Sequence, residues 1–148
     1  MASTSNLTSD EAALRAGIEE RVQAIRTKDV DRVLSGYAAD VATFDLMAPL
    51  ANLGVEAVRK RLGEWFSSFQ GDIDYEIRDV SLAVSGDVAF DHHFTHVLGT
   101  NKAGETVEMW FRETIGYRKV DGRWKVTHQH SSVPFDMTSG KPLFDLKP

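Results

Sequence analysis

The sequence contains no cysteine among its 148 residues. This absence excludes disulfide bonds, thiolate nucleophiles and zinc sites built on thiolates. No apolar run approaches the about 20 residues that a membrane-spanning helix needs. Residues 1–8 also lack the basic and apolar stretches of a signal peptide. Together these absences predict a cytoplasmic protein that does not insert into a membrane.

The charge balance is mildly acidic, with 17 Lys and Arg against 22 Asp and Glu and a formal net charge of -5. No basic run and no alternation of basic with aromatic residues occurs, so we expect neither nucleic acid nor an anionic membrane as a partner. A chain of this length with 42% hydrophobic residues is sufficient for one globular core. We therefore predict a single domain over residues 1–148, with a flexible arm at 1–7 and an irregular tail at 134–148.

The first half of the chain has helical periodicity. Residues 8–11 read Thr-Ser-Asp-Glu, the form of a capping box, which predicts that a helix begins there. Its apolar residues recur at helical spacing, at Leu14, Ile18, Val22 and Ile25. Asp29 predicts a short second helix that carries Tyr37 on its apolar side, and residues 55–69 predict a third, amphipathic helix. A short strand over residues 41–46 and a loop separate the last two.

After Gly71 the pattern becomes alternating and predicts four long strands. They cover residues 72–84, 88–98, 105–119 and 123–133, and Gly-containing turns separate them. Helices first and strands second predict an α+β fold. In this fold the N-terminal helices pack on one face of a strongly curved antiparallel sheet.

The alternation divides the central strands into two faces. His92 and Phe94 share one face of their strand with other apolar residues, and Glu113 lies on the apolar-rich face of the next strand. We expect these faces to meet the helices, which would set His92 and Glu113 among aromatic side chains. The opposite faces are too polar for a core and too aromatic for a free surface, and they predict a buried homodimer interface. Their residues are Asp91, His93, Trp110, Arg112, Thr114, Trp124, His128 and His130.

The register of the last strand has two solutions. A three-residue loop with a bulge at the Asp121-Gly122 hairpin puts Thr127, Gln129 and Ser131 on the core side, whereas a two-residue loop puts His128 and His130 there. The two histidines also have the spacing of two metal ligands on one strand, but no diagnostic third ligand accompanies them. We expect neither a metal nor a cofactor.

Asp45 ends the short first strand and is flanked by apolar residues. A carboxylate in this position either caps an exposed loop or faces the mouth of a cavity. Tyr37 and Trp65 each either pack in the core or contact a ligand in the cavity.

Several motifs resemble the nuclear transport factor 2-like superfamily, and within it the SnoaL-like and ketosteroid-isomerase-like proteins. They are Lys28-Asp29-Val30-Asp31, Tyr37-Ala38-Ala39-Asp40 leading to Phe44-Asp45, and Asp121-Gly122-Arg123-Trp124-Lys125-Val126 with His128-x-His130-x-Ser132. The last motif is also similar to the end of the association domain of calcium/calmodulin-dependent kinase. The resemblance covers nearly the whole chain and implies that the curved sheet forms a cone with an internal pocket.

This resemblance implies a set of site residues. Asp45 falls at the position of the steroid isomerases' general base, and His92 and Phe94 fall on a strand whose matching face lines the pocket. Arg21 stands where those isomerases have a tyrosine, and Glu113 lies one step from the position of their protonated acid. In the steroid isomerases the oxyanion hole consists of this tyrosine and the protonated acid. The resemblance therefore implies that this chain lacks the oxyanion hole in its known form.

These implications lead to a first functional hypothesis, proton abstraction or related lyase or hydrolase chemistry on a small apolar carbonyl compound. Asp45 and His92 are its candidate catalytic residues. The candidate substrate-binding residues are Arg21, Tyr37, Trp65, Phe94, Glu113 and Gln129. The alternatives are a non-catalytic binding or oligomerisation module and a metal-dependent enzyme that uses His128 and His130.

Overall fold

Helices occupy most of the first half of the chain and long strands the second half, as the change in periodicity predicts. The structure is a computed structural model that describes the backbone of residues 2–148 and the side chains of residues 9–148. The elements are α1 (Ala2–Arg26), α2 (Val30–Leu34), β1 (Tyr37–Phe44), β2 (Asn52–Leu53), α3 (Val55–Ser67), β3 (Phe69–Ser85), β4 (Val88–Asn101), β5 (Thr106–Val120) and β6 (Arg123–Ser132).

Several predicted boundaries are wrong, among them those of the first strand, which the sequence predicts over residues 41–46 but which spans Tyr37–Phe44. α1 is helical from Ala2, so the Thr8 capping box lies inside the helix and does not start it. α2 ends at Leu34 and Tyr37 opens β1, because the pairing of Tyr37 with Val126 of β6 draws it into the sheet. Phe69 opens β3 and does not belong to α3. The predicted flexibility of residues 1–7 concerns Met1 and side chains that lie outside the described residues.

The six strands form one open sheet in the order β2-β1-β6-β5-β4-β3, antiparallel except where β1 runs parallel to β6. The helices pack on its inner face, so the predicted α+β cone is confirmed. Within the described residues, none of the helices is long and apolar enough to cross a membrane. The core combines the apolar stripe of α1 with inward residues of every long strand, including Leu14, Ile18, Val22, Ile25, Val41, Ile73, Val97, Ile115 and Val126.

The predicted inner face of β4 is wrong, whereas that of β5 is correct. Asp91, His93 and Thr95 are fully or almost fully buried, while His92 is exposed and Phe94 keeps 37% of its surface exposed. On β5, Glu113, Ile115 and Tyr117 point inward as predicted. The polar residues of β4 point inward because they bind charged and hydroxyl groups inside the cone. Its phenylalanines lie on the outer face.

A bulge in β6 settles the register of the last strand. Val120 pairs with Arg123 around a two-residue turn, but the register shifts by one residue between Gly116 and Tyr117, which leaves Thr127 as the extra residue. Beyond this bulge Gln129 pairs with Ile115 and Ser131 pairs with Glu113. The strand therefore carries Gln129 and Ser131 inward through a bulge within the strand, although the hairpin loop itself has two residues.

The outer face of the sheet carries most of the polar and aromatic residues predicted there, including Arg112, Thr114, His128 and His130. His128 and His130 contact Phe44 of β1 edge-on, with ring centroids 4.8 and 5.4 Å apart. Trp124 is a further correction, because it packs toward α1 and its indole N–H donates to Asp10 at 3.2 Å.

Over residues 134–148 the C-terminal tail has no helix or long strand and forms a bridge between Phe135 and Pro142. The backbone N–H of Trp110 donates to the carbonyl of Phe144 at 2.8 Å. This contact holds the tail against the end of β5 that β6 does not cover.

Candidate functional site

A cavity of about 160 Å³ lies inside the cone, between α3 and the inner face of the sheet. Most of its wall is apolar and comes from the three helices, β5, and the end of β1 with the loop after it, while Phe144 of the tail also lines it. The polar groups on the wall are Tyr37, Thr43, Asp45, Arg61, Tyr75, Glu113, Gln129 and Ser131. An apolar cavity with a few convergent polar groups is the usual form of a small-molecule site.

Glu113 is the buried carboxylate of this cavity. Its Oε1 accepts from the Tyr75 hydroxyl at 3.0 Å and the Thr95 hydroxyl at 2.6 Å. Its Oε2 accepts from Gln129 Nε2 at 2.6 Å and from the Ser131 hydroxyl at 3.3 Å. Four neutral donors from three strands therefore hold both oxygens, which is the arrangement that a buried carboxylate requires.

His93 lies behind Glu113, with a side chain that is entirely inaccessible. Its Nδ1 is 2.6 Å from Asp91 Oδ1 and its Nε2 is 3.4 Å from Glu113 Oε1. The second contact is an ion pair without hydrogen-bond geometry. The Tyr117 hydroxyl donates to the other oxygen of Asp91 and accepts from Arg21 at 3.4 Å. The result is a continuous buried network of two acidic and two basic side chains.

The network shifts the pKa values of its members in opposite directions. Burial favours neutral Glu113, but the nearby positive charge of His93, the hydrogen bond from the Thr95 hydroxyl and the charge of Arg21 outweigh it and hold the pKa of Glu113 at about 2. Burial also disfavours a charged His93, yet Asp91 and Glu113 raise the pKa of His93 to about 9. Burial raises the pKa of Tyr37 to about 12. At neutral pH, Glu113 is thus a carboxylate and His93 an imidazolium.

Asp45 lies at the partly exposed mouth of the same cavity. Its Oδ2 is 3.1 Å from Nε of Arg61 on α3, and its Oδ1 accepts from the backbone N–H of Leu46 at 2.6 Å. Its side chain keeps 29% of its surface exposed, against 17% for Arg61. Of the two alternatives for Asp45, the structure therefore shows the one at the cavity mouth.

The structure brings together five of the predicted site residues and separates three. Asp45, Tyr37, Trp65, Glu113 and Gln129 line the cavity. His92 and Phe94 are on the outer face of the sheet, so their predicted place in the pocket is wrong, because β4 has the opposite phase. Arg21 borders a second cavity on the far side of Tyr37 and does not line the first.

Arg61 and Tyr75 are site residues that the sequence prediction missed. Arg61 follows Val58 by three residues and precedes Trp65 by four, so helical spacing places it on the face that lines the cavity. Tyr75 shares the inward face of β3 with Ile73, as strict alternation requires. His93 pairs directly with Glu113 across β4 and β5. Knowledge of that register would have identified it, because opposite residues share a face.

The described residues hold no group of three or more His, Asp and Glu side chains that could bind a metal ion. His128 and His130 are instead packed against Phe44.

Comparisons with known proteins agree with this fold. The family model of the SnoaL-like domain matches residues 14–136. A structure of an NTF2-like protein of unknown function from Pseudomonas putida KT2440 superposes with a TM-score of 0.87 at 32% sequence identity. This superposition covers 95% of this chain and 98% of that one. None of the curated proteins matches the chain.

Two further structures carry the predicted resemblances. A ketosteroid isomerase-like protein from Erwinia carotovora atroseptica has a TM-score of 0.71 at 26% identity, over 82% of this chain and 93% of that one. A candidate calcium/calmodulin-dependent protein kinase II association domain from Xanthomonas campestris has a TM-score of 0.70 at 22% identity, over 83% and 84%. The second likeness shows the fold alone.

Proposed function

Because this chain belongs to the SnoaL-like domain family, we propose that it acts on a small, largely apolar carbonyl compound bound in the cone cavity. Asp45 is the general base in this proposal. It removes a proton from the carbon next to the carbonyl, and the C–H electron pair moves into the carbonyl to give an enolate. Return of the proton at a different carbon completes an isomerisation that needs no cofactor.

The position of Asp45 is the observation that carries this proposal. It is a partly accessible carboxylate at the mouth of a mostly apolar cavity, and Arg61 and the Leu46 N–H hold it in place. Glu113, the other carboxylate of the cavity, is unsuited to the role. Its pKa of about 2 makes it a weak base, and four donors already occupy its oxygens.

Arg61 is the candidate for stabilising the enolate oxygen. Its Nε faces Asp45, and a guanidinium has further N–H groups in a fixed fork beside the base. Tyr37 and Tyr75 are less suited, since their hydroxyls donate to Gln129 and Glu113. A cationic donor near the developing charge is the feature that lowers the barrier to enolisation.

The volume of the cavity points to a compact substrate. An apolar cavity of roughly 150 Å³ accommodates benzene, and this cavity has about 160 Å³. We therefore propose a monocyclic ketone or lactone as the substrate class.

The test is hydrogen–deuterium exchange at the α-carbon of monocyclic ketones and lactones, followed by NMR in D₂O. We expect Asp45→Asn to slow exchange roughly a hundredfold or more, because it removes the base while keeping the shape. Asp40→Asn is the matched control, as Asp40 is exposed on the same strand. Equal exchange rates in wild type and Asp45→Asn would overturn the role of Asp45.

A non-catalytic small-molecule binding module is the second candidate. The observation that favours it is the internal pairing of the polar wall, where Tyr37, Tyr75, Gln129 and Ser131 all bind one another or Glu113. Saturable binding of the same ketones without exchange in any variant supports this alternative.

We also propose that the outer face of the sheet joins two copies of the chain as a homodimer. Phe90 and Phe94 on β4 keep 50% and 37% of their surface exposed, and Phe44 on β1 keeps 39%. Aromatic side chains concentrated on one sheet face are typical of an interface. A second copy would cover them through the same surface, as closed twofold symmetry requires.

A further inference from the structure

We propose that a second cavity, on the far side of Tyr37 from the first, binds a small organic carboxylate through Arg21. This cavity has about 310 Å³ and lies between α1, α2 and the β5–β6 hairpin. Val33 and Tyr37 line both cavities, so they separate the second site from the proposed catalytic site. The proposal is independent of the chemistry proposed for the first cavity.

Arg21 is the reason for inferring a ligand. Its side chain comes from α1 within the apolar stripe of the helix, and the residue is only 7% exposed. Its one hydrogen bond to a described residue is to the Tyr117 hydroxyl, at a long 3.4 Å, and it forms no salt bridge with a described residue. A buried guanidinium with five N–H donors normally has an acidic partner.

Arg21 is one of the residues that line this cavity, and it does not line the first. Among the described side chains, the fully buried polar atoms without a partner are His93 Nε2 and Trp110 Nε1. The remaining nitrogens of Arg21 are not among them, so they keep some accessible surface beside the cavity that Arg21 lines. An anion there would receive the fork of donors that suits a carboxylate.

The charges on the cavity wall favour an anion. Arg21, Arg32 and Arg123 line it, and Glu20 is its acidic residue. Both carboxylate oxygens of Glu20 bind Arg32, which leaves Arg21 and the exposed Arg123 without a described acidic partner. The wall is therefore net positive in a chain whose formal net charge is -5.

The rest of the wall is suited to an apolar body attached to the carboxylate. Leu14, Val33, Trp124 and Val126 contribute apolar surface to the cavity. Its volume of about 310 Å³ is roughly twice that of a cavity that holds benzene. An aromatic monocarboxylate of one ring fits both the charge and the size, whereas a bare inorganic anion would leave the apolar wall uncovered.

The experiment is calorimetric titration of the wild-type protein with benzoate, beside benzyl alcohol, acetate and inorganic phosphate. We expect benzoate to bind at least about tenfold more tightly than the neutral benzyl alcohol and than acetate, because it combines the charge with the ring. Binding of phosphate in preference to benzoate would overturn the organic carboxylate as the ligand.

Two variants assign the binding to this cavity. Arg21→Gln removes the charge, and Gly17→Leu fills the space from α1, since a Cβ at Gly17 meets no atom within 4 Å and Gly17 lines the cavity. We expect each to weaken benzoate binding at least about tenfold. Gly63→Leu on α3 is the matched control, because its Cβ is equally free and Gly63 lines neither cavity.

The filling variant keeps the proposal falsifiable if Arg21→Gln fails to fold, because it leaves the charge network intact. Benzoate affinity that is equal in wild type and Gly17→Leu would overturn the proposal. Benzoate that shifts only the NMR signals of Asp45 and Arg61 would also overturn it, because the ligand would then occupy the first cavity.

Discussion

At the scale of single residues, the buried network of Arg21, Asp91, His93 and Glu113 depends on how each charge is paired. Each acid is held by a basic neighbour and by neutral hydroxyl or amide donors. A buried charge costs several kcal/mol unless it is paired and hydrogen-bonded. The pairing of His93 with both Asp91 and Glu113 therefore links the ionisation of His93 to the stability of the fold.

The first prediction is a loss of stability between pH 6.5 and 9. His93 has a folded pKa of about 9 against 6.5 for the free side chain, so its protonated form stabilises the fold fully below pH 6.5. That contribution disappears as pH rises through about 9, and it amounts to about 3 kcal/mol of the free energy of unfolding. Urea denaturation at half-unit pH intervals measures it.

His93→Gln should remove most of this pH dependence of the unfolding free energy, because the glutamine side chain does not titrate between pH 6.5 and 9. The matched control is His92→Gln, which alters the exposed neighbour on the same strand and should keep the wild-type slope. A wild-type unfolding free energy that stays constant from pH 6.5 to 9 would contradict the prediction. Glu113 affects stability at acidic pH. Because its folded pKa is about 2 against 4.5 for the free side chain, its contribution to the free energy of unfolding is lost only as pH drops from about 4.5 through 2.

At the scale of elements, the bulge in β6 decides which residues reach the network. The extra residue Thr127 separates the part of the strand that carries Val126 inward from the part that carries Gln129 and Ser131 inward. Because side chains alternate along a strand, one residue more or less exchanges its two faces. Gln129 and Ser131 both donate to Glu113, so the bulge is a structural requirement of the site.

We predict that deletion of Thr127 strongly destabilises the protein. The change would turn Gln129 and Ser131 outward and bring His128 and His130 toward Glu113, at about 1–3 kcal/mol for each buried partner lost. Thermal unfolding followed by near-UV circular dichroism measures the effect. Deletion of Thr138, in the exposed turn of the tail, is the control, and equal melting temperatures for the two deletions would sink the prediction.

Gly99 provides a test of packing between β3 and β4. A Cβ at Gly99 would lie 2.7 Å from Cδ1 of Phe69, whose ring covers the glycine and is 2% exposed. We predict that Gly99→Ala lowers the free energy of unfolding by about 1–3 kcal/mol, because the buried ring must move. Gly63→Ala, with no atom near its Cβ, should instead be neutral or stabilising by up to about 1 kcal/mol. Chemical denaturation of both variants distinguishes these outcomes, and equal stabilities would contradict the packing argument.

These elements also show what the sequence determines. The order of helices and strands follows from periodicity, and the inward face of β5 follows from its apolar alternation. The inner face of β4 could not be read in this way, because its buried residues include Asp91, His93 and Thr95 and its exposed residues include Phe90 and Phe94. Apolar content identifies the inner face of a strand only when the opposite face meets water and the inner face holds no paired charges. On β4 the buried polar residues belong to an internal charge network, and the proposed homodimer would cover the exposed phenylalanines.

At the scale of the whole molecule, β4 contributes to both sides of the sheet, because its polar residues point inward and its phenylalanines point outward. Its inner side holds polar groups of the buried network, and its outer side presents Phe90 and Phe94, the second of which pairs with Arg112 of β5. A monomer that exposes this face would leave several large apolar side chains in water. The single strand thereby connects the architecture of the site with the proposed homodimer.

We predict that Phe94→Glu converts a dimer into a monomer without unfolding it. Twofold symmetry places the change on both sides of the interface, so each dimer loses two buried phenylalanines and gains two charges, and the dissociation constant should rise about a hundredfold or more. Light scattering over a dilution series measures the mass. Leu50→Glu is the control, because Leu50 is 97% exposed in the loop after β1 and lies off the sheet. If Phe94→Glu keeps the mass of the wild type at every dilution, or if the wild type is itself monomeric at high concentration, the outer face does not join two copies of this chain.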